Sequence, residues 1–380
     1  MKLKTIINSN RQFLLTAVFG VAVFCFWLFW LPHLMVAREG MQLFLWNTDY
    51  LMERLTMPGG LAQYLGEMIV QFFLNPVYGA LWYAVLLVAA QLLMWRLFSN
   101  KRSLLSNNLP LFSNNLPLLR NKAWLLSYIV PLVLWALACN PNIPMTPIVA
   151  VVLTLALMNL LPKARKARFV TACVLVPVGY WLLGPAIVLM VIAPITSIVY
   201  HISLFVLLVF CIVGSAWLTP YPLRQVARGI DYYWEGDKVG TYEEMEYDME
   251  MRRQRWEVMA TKVEQPPTLK SVSSAFLMSE ISLSMGMVNL SQRSAFEAME
   301  AIPNYNKSAR ALRRLVETNI ITGQYDVARK YIAILEETTF YRGWARKMTA
   351  LMDHPEQIKD YPLYDRLKEI YDNGKDQFFY

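Results

Sequence analysis

Charge is what this 380-residue chain has least of: 17% of its residues are Asp, Glu, Lys or Arg, against about 25% in an ordinary soluble protein. Acids almost vanish from the first 218 residues, where only Glu39, Asp49, Glu53 and Glu67 occur. There are three histidines, His33, His201 and His354, too far apart in sequence to form a ligand motif. The four cysteines, Cys25, Cys139, Cys173 and Cys211, lie in or beside apolar runs without metal-binding spacing. They read as small buried side chains, which excludes a disulfide framework. HExxH, the P-loop lysine motif, GxGxxG and GxSxG are all missing, so the enzyme classes built on them are excluded and no cofactor or metal is expected.

What the chain has instead is apolar surface: 56% of residues are hydrophobic and 13% aromatic, with 12 tryptophans and a mean hydropathy of +0.32. Several runs reach the roughly 20 residues that cross a bilayer, which makes it a polytopic, all-α membrane protein with the bilayer as its first partner. The net charge of +8 is unevenly divided. Residues 1–218 carry 14 basic side chains against 4 acids, a net +10, whereas 219–380 carry 22 against 24, a net −2. Basicity is therefore a property of the membrane half, and no nucleic-acid partner is expected.

Spans are predicted at 12–36, 68–95, 123–139 and 145–161, followed by a charge-free stretch of 50 residues, Phe169–Leu218. The first run is too long and too aromatic for a signal peptide and lacks a small-x-small cleavage site. The loop 99–121 repeats Leu105-Ser-Asn-Asn-Leu-Pro-Leu111 as Phe112-Ser-Asn-Asn-Leu-Pro-Leu118, and Pro with paired Asn reads as irregular structure. Twelve Lys and Arg residues, flanking the start of span one, the 96–122 connection and the 163–168 connection, have no acid on their side. By the positive-inside rule the N-terminus is cytoplasmic. The stretch 169–218 divides into two spans broken near Pro194, or three broken at Gly184-Pro185 and at 200–203. Span length and Arg224 with Arg228 favour two; the adjacent Gly and Pro favour three.

In the first extracytoplasmic loop, Leu43, Leu45, Trp46, Tyr50, Leu51 and Leu55 approximate a helical stripe ended by Met57-Pro58-Gly59-Gly60, as in a helix lying in the membrane interface. Asp49 is the one candidate catalytic carboxylate, for a membrane-embedded, glycosyltransferase-like transferase using a lipid-linked donor; the solvated face of an amphipathic helix is the plainer reading.

Residues 219–266 read as a junction and an amphipathic helix over 241–264, carrying Met245, Met249 and Trp256 and an Asp248–Arg252 pair. Beyond Pro266-Pro267, residues 267–380 read as helical pairs. Gly286 turns the first pair, Ala298 packs its second helix and Pro303 closes it. The second pair repeats the plan with Gly323-x-Tyr325-x-x-Ala328. The two glycines are 37 residues apart, close to the roughly 34-residue tetratricopeptide period, in which small residues let antiparallel helices approach. Ser308 is expected at the exposed end of a repeat helix. Such repeats are mostly interaction surfaces, so a scaffold with a protein partner on the repeats is preferred to the transferase.

The stretch Ala295–Pro303, continuing through Arg313–Tyr325 to Tyr331 and Phe340–Ala345, resembles an uncharacterised family of bacterial polytopic inner-membrane proteins with C-terminal tetratricopeptide-like repeats. Pro58-Gly59-Gly60 with Tyr64-Leu65-Gly66, and Gly179-Tyr180-Trp181-Leu182-Leu183-Gly184, resemble it too. Family members usually have a further helical repeat before Phe276 and a basic cytoplasmic turn at the place of His201. The resemblance implies three short spans over 169–218 and an extracytoplasmic repeat domain, and transfers no activity. We therefore expect six or seven spans in 1–218, seven on this division, and place 219–380 outside the cytoplasm.

Overall fold

A computed structural model describes residues 2–108, 123–162, 164–192, 198–234, 239–253, 271–302 and 307–374. Among these there is no strand. Four helical stretches are long and apolar enough to cross a membrane: Gln12–Phe29, Pro76–Ser99, Lys166–Ile192 and Ile198–Leu218. The apolar helices Trp124–Cys139 and Thr146–Leu160 are shorter.

The chain forms two compact units that interleave along the sequence. The first comprises Met1–Pro32, Leu51–Ile69 and Pro76–Tyr233, and the second His33–Tyr50, Val70–Asn75 and Trp234–Tyr380. The stretches 33–50 and 70–75 group with the C-terminal helices, and 219–233 groups with the first unit.

In the first unit α1 (Lys2–Phe29) ends where Pro32 cannot donate to the helix ladder, so the span expected over 12–36 stops at 29 and α2 (Pro32–Gly40) starts afresh. Then come α3 (Thr48–Leu55), α4 (Gly60–Val70) and α5 (Pro76–Asn108). α5 continues into the first copy of the tandem repeat, where irregular structure was expected; the second copy lies outside the described residues. α1 and α5 run antiparallel: Trp27 stacks on Tyr83 at 3.9 Å, and the Thr16 hydroxyl donates to Gln91 Oε1 at 3.2 Å. A 3₁₀ turn, Ala123–Tyr128, leads into α6 (Ile129–Cys139), and α7 (Thr146–Leu160) follows.

The charge-free stretch forms α8 (Arg165–Leu183), a 3₁₀ turn at Gly184–Ile187, α9 (Val188–Ile192) and α10 (Ile198–Leu218). α8 and α10 lie parallel, since Phe169 stacks on Tyr200 at 4.2 Å near their starts, while the Tyr180 hydroxyl donates to Val226 O, beyond the end of α10, at 3.2 Å. Two successive parallel helices need a return leg between them. It begins at Gly184, whose φ of +71° ends α8, and a Cβ on Gly179 would strike the returning Ile187 at 2.6 Å. The short helix α11 (Leu223–Arg228) follows.

The second unit contains α2, the start of α3 and the C-terminal helices. These are α12 (Tyr242–Arg253), α13 (Val272–Ser284), α14 (Val288–Ala301), α15 (Ala309–Ile321), α16 (Tyr325–Glu336), α17 (Arg342–Asp353) and α18 (Pro362–Asp372). The helix expected over 241–264 is described only as far as Arg253. α13 packs on α14, α14 on α15, α15 on α16 and α16 on α17, in hairpins turned by Gly286 at φ +83° and Gly323 at φ +78°. Their core holds Leu312, Val316, Ala328, Ile332 and Leu335. Leu43, from the segment after α1, is buried in the same core with Leu45 against it.

Ala328 has no exposed surface and lies in that core. Ala328→Trp in the full-length protein is expected to destabilise it by about 1–3 kcal/mol, read as a fall in melting temperature in detergent. An unchanged melting temperature would refute tight packing at this position.

Candidate functional site

The second unit is built around the segment 33–50. From Gln42 to Trp46 the chain is not helical, so the apolar residues 43–46 do not form the surface stripe their spacing suggested. Asn47 Oδ1 accepts from the Tyr50 amide at 2.7 Å and starts α3 only at Thr48, an N-terminal cap that satisfies an otherwise orphan donor. The segment is bonded into the C-terminal helices along its length. The Ser308 hydroxyl donates to Gly40 O, the Tyr341 hydroxyl to Glu39 Oε1 at 2.6 Å, and the Trp46 amide to Glu337 O at 3.3 Å. The Trp46 indole and the Asn47 amide bond to Thr339 and Glu337. Ser308, expected at an exposed helix end, is fully buried as the N-cap of α15, accepting from the Ala311 amide at 3.0 Å.

Around this segment lies a network of buried charges. Arg310 binds Asp248 through both terminal nitrogens at 2.5 and 2.6 Å, reaches Glu280 at 3.2 Å and stacks over Phe276 at 4.4 Å. Arg314 pairs with Glu280 at 2.5 Å and with Glu317 at 3.2 Å. Glu317 also meets Arg313 at 3.2 Å and receives the Tyr364 hydroxyl at 3.1 Å. The expected Asp248–Arg252 pair is present at 3.8 Å, secondary to the bidentate Arg310 contact. One chain of charge thus joins α12, α13, α15 and α18.

Burial pushes Glu280 up, but the guanidiniums of Arg314, Arg310 and Arg252 outweigh it and hold the carboxyl well below the carboxylate range. For Glu39 the balance goes the other way: burial pushes its carboxyl above the ordinary 4.5, only partly opposed by Arg252, the Tyr341 bond and more distant arginines. Its Oε2, both amide atoms of Gln42 and one terminal nitrogen of Arg252 are buried without hydrogen-bond partners.

The expected repeat positions fall into this frame. Gly286 and Gly323 turn the hairpins, Ala298 and Ala328 are fully buried, and Tyr325 packs against the core. Pro303 lies outside the described residues. Asp49 is exposed in the first turn of α3, while among the described residues the buried acids are Glu39, Glu67, Asp231, Asp248 and Glu317. Glu39, Arg310, Arg314 and Glu317 were not singled out from the sequence. Their signal was available, as Arg310, Arg314 and Glu317 recur at spacings of four and three among the apolar positions of α15. Among the described residues no group of three or more His, Cys, Asp or Glu side chains is placed to hold a metal.

In the first unit the two glycine-rich motifs meet. The Gly59 amide donates to Trp181 O at 2.8 Å and the Trp181 indole to Leu55 O at 2.9 Å. Gly59 and Gly184 both have positive φ, and a Cβ on either would contact the other's Cα at 3.4–3.5 Å. Beside this junction Glu67 is buried, taking Arg54 Nε and Gln63 Nε2 at 3.0 Å each, and Thr146 donates to buried Asp231 at 2.6 Å.

A family model described as a family of unknown function, DUF6057, matches residues 8–274 and 265–380. No curated protein and no solved structure matches the chain.

Because the folded-state proton on Glu39 is held to higher pH than in the unfolded chain, Glu39 costs stability as pH rises above 4.5 and costs nothing below it. Glu39→Gln keeps an acceptor for Tyr341 and is expected to raise the melting temperature at about pH 7.5, the gain closing near pH 4.5. A loss at neutral pH would show that the carboxylate is ionised and stabilised by Arg252.

Proposed function

The chain belongs to the family of unknown function DUF6057, and from that premise we propose that it is an integral interaction protein of the bacterial inner membrane. On this reading its tetratricopeptide-like helical pairs lie outside the cytoplasm and dock a protein partner of the cell envelope. The observation that carries the reading is the place of residues 33–50. They follow the first membrane helix directly and are built into the core of the C-terminal helices. One core cannot be divided by a bilayer, so both stretches share a side. With the twelve unopposed positive charges holding the N-terminus in the cytoplasm, that side is the outer one.

The parallel course of α8 and α10 supports the same side independently. It requires a return leg between them, hence three crossings over 165–218 and seven in all. The return leg is short for a crossing, but its residues 184–191 are buried or half-buried against α7, α8 and α10, and non-ideal backbone at membrane depth is tolerated where protein surrounds it.

The partner surface follows from what is already occupied. Twelve of the thirteen residues of α15 are buried, so the face that the first helices of stacked pairs usually offer to a ligand is filled by the chain's own segment. The free faces are on α16, where Arg329, Lys330 and Ala333 are exposed, and on α17, which opens the next pair and exposes Arg346 and Lys347.

Ala333→Cys in a cysteine-free background tests the sidedness. It is expected to react with a membrane-impermeant maleimide in cells with a permeabilised outer membrane, and labelling only after inner-membrane lysis would refute it. In native membranes, crosslinking from Ala333 and Lys347 is expected to enrich one envelope protein, whereas a product spectrum no different from an unrelated membrane protein's would overturn the docking reading.

A further inference from the structure

Between α1, α5 and the 3₁₀ turn Ala123–Tyr128 lies a groove of about 610 Å³ that neither the repeat reading nor the glycine junction uses. Its lining forms three levels. At one end are Gln12, Trp95 and Trp124, with exposed Arg96 beside Trp95 and Arg11 preceding Gln12. One helical turn deeper, about 6 Å along α1, Thr16 donates to Gln91 and lies 3.4 Å from the Tyr128 hydroxyl, and Gln91 donates to Ser127 at 3.0 Å. Deeper still the walls are apolar, and the absence of a side chain at Gly20, where a Cβ would stand 3.1 Å from Val88, keeps the floor low.

This order is cationic rim, then hydroxyl and amide groups, then hydrocarbon. It matches along one axis the order of phosphate, glycerol ester and acyl chain in a phospholipid. In sequence, the residues that precede Gln12 and follow Trp95 include Lys2, Lys4, Arg11, Arg96, Lys101 and Arg102 without one acid up to Lys122, and no carboxylate pairs with Arg96 among the described residues. A zwitterionic headgroup would bring an ammonium into this uniformly positive rim, while an anionic one brings only the phosphate charge. Aromatic residues at the rim level are those that settle at the headgroup boundary of a bilayer, and basic clusters at the cytoplasmic end of spans attract anionic lipid. We propose that this groove is a binding site for one anionic phospholipid of the cytoplasmic leaflet, its acyl chain along Gly20 and its phosphate at Arg96.

The test is native mass spectrometry of the full-length protein in neutral detergent, titrated separately with phosphatidylglycerol and phosphatidylcholine. One equivalent of phosphatidylglycerol is expected to be retained in preference to phosphatidylcholine. Arg96→Gln, an exposed change that leaves the packing alone, should weaken that retention about fivefold. Ala17→Leu, which fills the groove from its open edge, should abolish it for both lipids. Equal retention of the two lipids by the unmodified chain, or retention indifferent to both substitutions, would mean ordinary lipid around the spans and overturn the proposal. A dimer lost on Ala17→Leu with lipid retention unchanged would assign the groove to a second copy and overturn it as well.

Discussion

A buried guanidinium must find carboxylates, and the second unit is arranged around that requirement. Arg310 sits at its centre, gripping Asp248 of α12, reaching Glu280 of α13 and covering the Phe276 ring. Arg314 then carries the chain of charge through Glu280 to Glu317, and Tyr364 of α18 closes it. Apolar residues of similar volume often give equal or greater stability than a buried ion network, while removing one partner leaves a charge uncompensated, at about 3–5 kcal/mol. Here each carboxylate comes from a different helix, so the network admits one register of α12, α13, α15 and α18. It also shapes the place taken by 33–50, since Gly40 lies against Arg252, the Arg310 side chain and Phe276.

That small patch has consequences for the whole chain. Because 33–50 connects α1 to α3, a length of polypeptide that could have been a surface loop is instead part of a folded core, and the sidedness we propose for the C-terminal helices follows from it. In the first unit the corresponding constraint is backbone proximity. Gly59 and Gly184 approach so closely that the turn after α3 and the turn after α8 become one structure, bonded through Trp181. The end of α8 is thereby held where the chain reverses.

Much of this was legible in the sequence because it rests on local rules. Hydropathy located α7 within a residue at each end, and the expected 123–139 is filled by the 3₁₀ turn Ala123–Tyr128 followed by α6, while Gly286 and Gly323 marked hairpin turns because a helix that reverses there needs a residue at positive φ. The interruption at Gly184-Pro185 also lies where two punctuating residues stand together. What was not legible depends on partners distant in sequence. Leu43, Leu45 and Trp46 can be fitted to a helical period, yet they are not helical, because Glu337, Thr339 and the α15 core take their bonds and their apolar surface. Arg310 and Arg314 look like a solvated helix face until Asp248 and Glu280 are brought to them. Ser308 looks exposed until Gly40 O arrives as an acceptor for its hydroxyl. Asp49 attracted notice as an acid in an acid-poor half, whereas the carboxylate that is buried and bonded in the same segment is Glu39.

Hydrogen–deuterium exchange on the full-length protein in detergent addresses the central point, the incorporation of 33–50 into the C-terminal core. Amides bonded in one cooperative unit open together, so the amides of α2 and Trp46 should be protected to the same degree as those of α15, and Arg310→Leu should release both sets in parallel. Free exchange over 33–50 beside a protected α15 would contradict it.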